Sequence, residues 1–200
     1  MRRLIFATNN KHKLTEIRAA LDGLVEVVSL AEAGLEGEIP ETADTLEGNA
    51  LQKAQWVVER LKECDGVFAD DTGLEVDALG GAPGVYSARY AGEHCSFDDN
   101  IDKLLSALDG QTNRRARFRT VICLIEKTAT HYFEGSVDGL ILTERHIYND
   151  GVGGTSRGFG YDPIFMPDRF AVSFAEMPLD VKNSISHRGR AVEKLKEYLL

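Results

Sequence analysis

Two neighbouring carboxylates, Asp70 and Asp71, follow the strand-like residues Val67-Phe68-Ala69 and precede Thr72-Gly73. Adjacent residues at a strand end point in different directions, so one carboxylate can face a cleft while the other supports the backbone. Mg²⁺ prefers hard oxygen ligands and usually retains waters, so one or two carboxylates are enough to bind it. The pair is therefore a candidate metal site, and two solvated turn aspartates are the alternative interpretation.

A polar segment, Thr8-Asn9-Asn10-Lys11-His12-Lys13, lies between the predicted first strand and first helix. Backbone N–H groups at a helix N-terminus, hydroxyl and amide side chains, and the Lys13 ammonium together suit a triphosphate. The alternative is an ordinary polar loop with an asparagine cap, because loops between strands and helices are usually polar.

Two later segments are candidates for contacting a nucleotide base. Phe159-Gly160-Tyr161-Asp162-Pro163 places two aromatics beside glycines, and Phe159 is suited either to stacking on a base or to plugging the core beneath a loop. Lys182 and His187-Arg188 gather cations at the predicted start of the last helix. Cations are unfavourable there unless an anion or acceptor is bound, and the alternative is a solvated basic turn.

The glycine-rich segments exclude the commonest nucleotide-binding classes. Residues 153–158 have the glycine spacing of a P-loop, but Phe159-Gly160 replaces the obligatory Lys-Ser/Thr. The chain also contains no G-x-G-x-x-G segment, so a dinucleotide-binding fold has no support. The sequence therefore indicates a different kind of phosphate site.

Hydrophobic periodicity predicts alternating strands and helices, which is typical of an α/β or mixed-sheet architecture. The predicted strands cover residues 3–8, 25–30, 66–70, 116–126 and 131–142, the last two paired as a hairpin. Helices are predicted after Asn10, over 46–61 with Asp44 or Thr45 as N-cap, after a capping box at 96–99, and after Ser186. Most of the arginines over 114–119 are predicted to lie on a solvated face.

Composition limits the class of protein. The 200 residues are 43% hydrophobic and 28% charged, which describes one compact domain, or two lobes sharing a cleft. A net charge of −9 argues against binding to a nucleic-acid duplex but allows a single nucleotide. Three cysteines without C-x-x-C spacing predict a reducing cytoplasm, and the apolar runs are too short to predict a membrane span.

Taken together, these segments resemble the inosine triphosphate pyrophosphatase family, whose members hydrolyse noncanonical purine triphosphates. The matching segments run in order across nearly the whole chain: residues 8–13, 41–42 with 49–54, 69–74, 79–90, 158–165 and 185–188. One such segment is weak support for a family, whereas six in order are strong support.

The resemblance implies a fold, an activity and a setting. The fold is an α/β architecture with an elongated mixed sheet flanked by helices, in two lobes around a central substrate cleft, as a single domain over residues 1–200. The activity is Mg²⁺-dependent hydrolysis of ITP, dITP and XTP to the monophosphate and pyrophosphate, which removes them from the nucleotide pool. The expected setting is a cytoplasmic homodimer that binds neither nucleic acid nor membrane.

The resemblance also implies a role for particular residues. Glu41 and Asp71 would hold Mg²⁺, and Asp71 would be the proton acceptor, with Asp70 beside it and Lys13 as a further catalytic residue. Thr72 would contact substrate through its hydroxyl. The other expected substrate contacts are Thr8, Asn9, Asn10, Lys11, His12, Lys13 and Lys53 for the phosphates, and Phe159, Gly160, Tyr161, Asp162, Lys182, His187 and Arg188 for the base and sugar.

One segment departs from the family, because residues 144–157 form a longer loop than their usual counterpart, and this loop leads into the expected base pocket. Two other functions share part of the pattern. A pyrophosphatase for modified pyrimidines or m7G-type nucleotides would lack the segments around Phe159 and His187. A nucleotide-sensing protein without activity would bind the triphosphate without a metal-positioned water, and Glu41 with Asp71 argues against it.

Overall fold

The computed structural model describes residues 1–61, 64–127, 129–149, 155–156 and 160–200, and only the backbone of residues 148–149 and 155–156. Phe159, the P-loop-like glycine spacing and part of the longer loop over 144–157 therefore lie outside the described residues. The elements in chain order are β1 (Arg3–Phe6), α1 (Lys11–Ala20), β2 (Glu26–Val28), α2 (Leu46–Val58), β3 (Gly66–Val76), β4 (Pro83–Gly84), α3 (Phe97–Ala107), β5 (Arg115–Glu126), β6 (Ala129–Ile141), β7 (Tyr148–Asn149), β8 (Thr155–Ser156), β9 (Phe165–Pro167), α4 (Leu179–Ile185) and α5 (His187–Leu199).

The predicted α/β architecture with a mixed sheet is confirmed. Seven strands form one sheet in the order β2-β1-β3-β5-β6-β9, with β4 paired to β3. Strand β1 is parallel to both β2 and β3, whereas β4 is antiparallel to β3 and β9 is antiparallel to β6. Strands β5 and β6 are neighbours, as the predicted pairing requires, and β7 with β8 forms a separate antiparallel pair.

The chain divides into two compact units, each assembled from separate stretches of sequence. The first unit comprises Met1–Asp71, Thr120–Gly135 and Arg190–Leu200. The second unit comprises Thr72–Arg119 and Ser136–Gly189.

Both faces of the sheet are buried in the first unit. Alternate residues of β1 and β3, among them Phe6 and Phe68, pack with buried residues of α1 and α5. The intervening residues, among them Ile5 and Val67, pack with Ala50, Ala54 and Val57 of α2. Since successive side chains of a strand point to opposite faces, α1 and α2 cover opposite faces of the same parallel strands.

The second unit has its own core, built from the later part of β3, α3 and the segments around β9. Phe118, Phe165 and Phe174 lie at its centre, with ring centroids 4.7 to 6.1 Å apart. Helix α3 begins with the predicted capping box, in which Ser96 and Asp99 each accept a hydrogen bond from the other's backbone N–H. This reciprocal cap satisfies N–H groups that the helix itself leaves without acceptors.

Strand β3 is longer than predicted, because it continues through Asp70 and Asp71 to Val76. The prediction of a short strand ending at the aspartates is therefore wrong. Leu74 and Val76 are fully buried in the core of the second unit, and this apolar alternation extends the strand beyond its polar middle. The sequence alone does not distinguish polar residues in the centre of a strand from a turn, because their tertiary partners are unknown.

The four arginines over residues 114–119 differ in their surroundings. Arg115 and Arg117 are exposed and pair with Asp168 and Glu75, as predicted for a solvated face. Arg114 is instead partly buried and donates to the backbone oxygens of Ile141 and Leu142, and the Arg119 side chain is 15% exposed. The prediction that most of these arginines are solvated is therefore wrong for two of the four. Among the described residues, no helix is long and apolar enough to cross a membrane.

We expect Gly139→Ala to destabilise the second unit, because β6 and β9 approach closely at this glycine. A Cβ at residue 139 would lie 2.3 Å from the backbone oxygen of Met166 and 2.8 Å from the ring of Phe165. Forcing one methyl group into a packed site costs about 1–3 kcal/mol. Urea unfolding measures the loss, with Asp138→Ala at the exposed neighbouring position as the control. Equal free energies of unfolding for the two variants would contradict the close packing.

Candidate active site

The first turn of α1 is closed by an asparagine cap. The Asn10 Oδ1 accepts hydrogen bonds from the backbone N–H groups of His12 (3.0 Å) and Lys13 (3.2 Å), and its own N–H donates to the Thr8 Oγ1 (3.1 Å). Asn9 donates to the backbone oxygen of Gly37, while Lys11 and His12 are exposed. Asn10 is therefore the N-cap of α1, and in this structure two of the N–H groups expected for phosphate donate to the cap.

Lys13 leads from this turn to the first aspartate of β3. Its Nζ lies 3.0 Å from the Asp70 Oδ1 and 2.8 Å from Oδ2, and only 4% of the Asp70 side chain is exposed. The β1 strand ends at Phe6, which pairs with Phe68, so Asp70 lies just beyond the carboxyl end of β1. Ligands of α/β proteins bind at the carboxyl ends of parallel strands, and this pair occupies such a position.

The second aspartate of β3 belongs to a cluster on the opposite face. The Lys53 Nζ donates to the Glu41 Oε1 at 2.7 Å and to the Asp71 Oδ1 at 3.0 Å. Asn49 donates from Nδ2 to the other Asp71 oxygen at 3.1 Å. Because Asp70 and Asp71 are both buried, the alternative of solvated turn aspartates is wrong.

Helix α2 positions this cluster. Its N-cap is Thr45, which accepts from the Gly48 N–H, so the second of the two predicted capping residues is correct. Asn49 also accepts from the Ala43 N–H, and Gln52 exchanges two hydrogen bonds with Thr42. These contacts hold the backbone that carries Glu41 against the helix.

Asn49 was not among the predicted site residues, although it is fully buried and contacts Asp71 directly. Its spacing from Lys53 was an available signal. Residues four apart lie on the same helix face, so two polar residues at this spacing among Leu46, Ala50 and Ala54 indicate a polar site inside an apolar face.

Burial and charge act in opposite directions on the two central groups. Burial raises the pKa of the Asp71 carboxyl above its ordinary value, and the nearby Glu41 adds to the rise while Lys53 and Asn49 oppose it. For Lys53, burial works against the ammonium, but the carboxylates of Asp71, Asp70 and Glu41 outweigh it, so its pKa is raised. The cluster therefore holds a charged lysine beside a carboxyl with increased proton affinity.

The donor set fits a hard divalent cation. The Glu41 and Asp71 oxygens lie within 3.0 Å of one nitrogen, so they converge on a common point. Mg²⁺ is usually held by one or two carboxylates, with waters and substrate phosphates completing its shell. Across the described ranges, no group of three or more His, Cys, Asp or Glu side chains is arranged to hold a metal ion.

A separate group of predicted residues lies in the second unit. Asp162 is buried and accepts from the Lys182 Nζ at 2.5 Å, and that nitrogen also lies 5.6 Å from the Phe174 ring centroid. Lys182 lies in the last turn of α4 and not at the start of the final helix, where it was predicted. The prediction is wrong because the seven-residue helix α4 has no apolar period to reveal it.

Tyr161 and Gly160 precede this ion pair. The Tyr161 hydroxyl donates to the Ser87 backbone oxygen at 2.8 Å, and burial raises the pKa of Tyr161 above its ordinary value. Gly160 has a φ of +57°, a conformation that favours glycine. Thr72, the remaining predicted contact in this unit, is partly exposed on β3.

His187 and Arg188 occupy the first turn of α5, as predicted. The His187 ring is buried and stacks on Phe118, with ring centroids 4.8 Å apart and planes 15° from parallel. Gly189 allows this turn to approach the end of α4, because a Cβ there would lie 2.4 Å from the Asn183 backbone oxygen. The structure thus brings His187 and Arg188 onto one helix start, while Lys182 comes from the helix before it.

The Lys13–Asp70 pair and the group around Lys53 and Asp71 are together called the first-unit cluster. This cluster and the fold define an α/β protein with buried aspartates paired to lysines beyond the end of a parallel strand, where such folds bind ligands. The model of the Ham1 family matches residues 4–198. The chain belongs to the Ham1 family.

The relatives of this chain match it over its whole length. A dITP/XTP pyrophosphatase of Porphyromonas gingivalis is 54% identical over 202 residues, which cover 100% of this chain and 98% of the relative. A dITP/XTP pyrophosphatase of Flavobacterium johnsoniae is 49% identical over 198 residues, covering 98% and 97%. The Ham1 protein of Staphylococcus aureus has a TM-score of 0.88 at 37% identity, covering 99% of this chain and 98% of that one. The HAM1 protein of Coxiella burnetii has a TM-score of 0.89 at 35% identity, covering 100% and 98%.

Proposed function

We propose that this protein hydrolyses the noncanonical purine nucleoside triphosphates ITP, dITP and XTP to the monophosphate and pyrophosphate, and so removes them from the nucleotide pool. The names of its full-length relatives support the activity and the substrates. The observation that carries the proposal is the first-unit cluster, in which Lys13 and Lys53 meet three carboxylates beside the N-terminus of α1.

The charge of this cluster favours a divalent cation, and we propose Mg²⁺. Glu41, Asp70 and Asp71 outnumber the two lysines, so the cluster has one excess negative charge. Such a cluster alone repels a polyanion, whereas a bound divalent cation reverses its sign. Glu41 and Asp71 are the residues that would hold the ion, which supplies charge neutralisation for the phosphates when bound.

The chain's own residues then have distinct tasks. Asp71, whose pKa is raised by burial, is placed to accept a proton from the water that attacks the α-phosphorus. Pyrophosphate leaves with the electrons of the broken P–O bond, and Lys13 and Lys53 stabilise its charge. Asp70 positions the Lys13 ammonium, and Asn49 fixes the orientation of the Asp71 carboxylate. Thr8, Asn9, Asn10, Lys11 and His12 contact the phosphates from the turn before α1 and its first residues.

The second-unit residues Tyr161, Asp162, Lys182, His187 and Arg188 bind the base in this proposal, with Phe159 and Gly160 from the same segment. Their support is chemical. Lys182, His187 and Arg188 supply hydrogen-bond donors for the oxo groups of hypoxanthine and xanthine, and buried aromatic rings accompany them. We also propose a homodimer in the cytoplasm, a compartment that fits the three free thiols of Cys64, Cys95 and Cys123.

We expect ITP to yield IMP and pyrophosphate in equal amounts, with no IDP at any time, because attack occurs at the α-phosphorus. The ribose and deoxyribose forms should both react, and EDTA should abolish turnover. Ion-exchange chromatography of early time points measures all nucleotide products. IDP with orthophosphate would contradict attack at the α-phosphorus, and binding without turnover would favour a nucleotide sensor. Measuring pyrophosphate release from modified pyrimidine and m7G-type triphosphates tests the alternative of a pyrophosphatase for those nucleotides.

A further inference from the structure

One ammonium joins the two carboxylates of the proposed metal site. The Lys53 Nζ contacts an oxygen of Glu41 and an oxygen of Asp71 at 2.7 and 3.0 Å, and 7% of the Lys53 side chain is exposed. Asn49 holds the other Asp71 oxygen, so the carboxylate is oriented with Oδ1 toward the lysine. The ammonium therefore contacts the same two oxygens that the proposed cation would bind.

We infer that Lys53 is an exchangeable substitute for the divalent cation: its ammonium holds Glu41 and Asp71 together while the metal is absent and is displaced when the metal binds. The inference rests on the proposed metal site. The Asp71 carboxylate is buried, and it and the nearby Glu41 carboxylate repel one another unless a cation lies between them. Lys53 supplies that charge and keeps the pair at a spacing that a small ion accepts.

Displacement has a consequence for the reaction. The ammonium released by the metal remains on a side chain of α2 and becomes available to a phosphate oxygen of the substrate. Metal binding and phosphate binding are then linked, because a cation that takes the two carboxylates also frees a lysine for the polyanion. Lys53 would act as a positioning residue without substrate and as a phosphate ligand with it.

The inference predicts that Lys53 competes with the metal. We expect Lys53→Met and Lys53→Gln to bind Mn²⁺ at least about tenfold more tightly than the wild type, because the cation no longer displaces a doubly hydrogen-bonded ammonium. Electron paramagnetic resonance of free Mn²⁺ during titration measures the dissociation constants without substrate or turnover. Lys13→Met is the matched control, since it removes the same charge from the neighbouring Asp70. It should change the dissociation constant by a smaller factor.

Nuclear magnetic resonance of the lysine side chains tests the wild-type protein, so the inference does not depend on whether the variants fold. The Lys53 ammonium signal should be protected from exchange in EDTA and should shift or broaden when Mg²⁺ is added. Equal or weaker Mn²⁺ binding in both Lys53 variants, or an ammonium signal unaffected by Mg²⁺ that does bind, overturns the inference alone. If neither the wild type nor any variant binds Mn²⁺ or Mg²⁺, the proposed metal site is overturned as well.

Discussion

The Asp71→Asn variant should lose a factor of about 10²–10⁴ in kcat for ITP while retaining its fold, because the amide cannot accept the proton of the attacking water. The substitution preserves the size of the side chain, and its single oxygen can still accept from Lys53 or from Asn49, which contact different oxygens of Asp71. It also removes one charge from the pair that would hold the metal. Steady-state kinetics at saturating Mg²⁺ and saturating ITP separate the chemical defect from weaker metal or substrate binding.

Two further variants test whether the loss in kcat is specific to Asp71. Asp70→Asn removes the carboxylate paired with Lys13, and a smaller loss in kcat is expected because that residue acts through the lysine. Asp22→Asn, at an exposed carboxylate in the turn after α1, should have wild-type kinetics. A near-wild-type rate for Asp71→Asn with an unchanged melting temperature would show that another group accepts the proton.

The Lys182→Met variant should lower the preference for ITP over ATP by about 10²-fold or more in kcat/KM. Hypoxanthine has a 6-oxo acceptor, whereas adenine has a 6-amino donor that leaves a buried donor of the protein unpaired. Discrimination of this kind reaches factors of about 10⁴–10⁵. An ammonium has three N–H groups, so Lys182 can donate to Asp162 and to a base at once. Measuring kcat/KM for ITP, XTP, GTP and ATP gives the preference.

Lys182 also has a structural task that must be separated from selectivity. Removing it leaves the buried Asp162 carboxylate without this cation, and a buried charge that loses its partner destabilises the fold. The double variant Lys182→Met with Asp162→Asn should recover most of the stability without recovering the preference over ATP. Recovery of both would mean that Lys182 only maintains the local structure.

Arg188→Ala or His187→Ala should instead reduce the difference in kcat/KM between ITP and GTP. A donor directed at position 2 of the base can donate to the oxygen of xanthine, has no clash with the hydrogen of hypoxanthine and repels the amino group of guanine. The same four-substrate measurement checks this expectation. A uniform loss across all four purines would mean that the residues contact the common sugar or phosphates and that the base is recognised elsewhere.

Local chemistry was sufficient to predict much of the fold from the sequence. Asn10, Thr45 and the Ser96–Asp99 pair cap helices through side chains that act within three residues, so their effect is visible in the sequence itself. The alternation of apolar residues likewise indicated buried strands and amphipathic helices, and hence an α/β protein. The residue types over 8–13 and at 70 and 71 indicated a phosphate site and a metal site. The resemblance to a known family added Glu41 and Lys53 and supplied the roles.

Partnerships between distant residues were decided only by the tertiary structure. Lys13 and Asp70 are 57 residues apart, and Lys53 and Asp71 are 18 apart, so no local pattern pairs them. Their contact depends on the register of β1 with β3 and on the packing of α1 and α2 against opposite faces of those strands. The same packing buries Asp70 and Asp71 inside a continuous strand where the sequence predicted its end. Because a carboxylate is stable there only with a partner, the tertiary structure alone determines which lysine each aspartate holds.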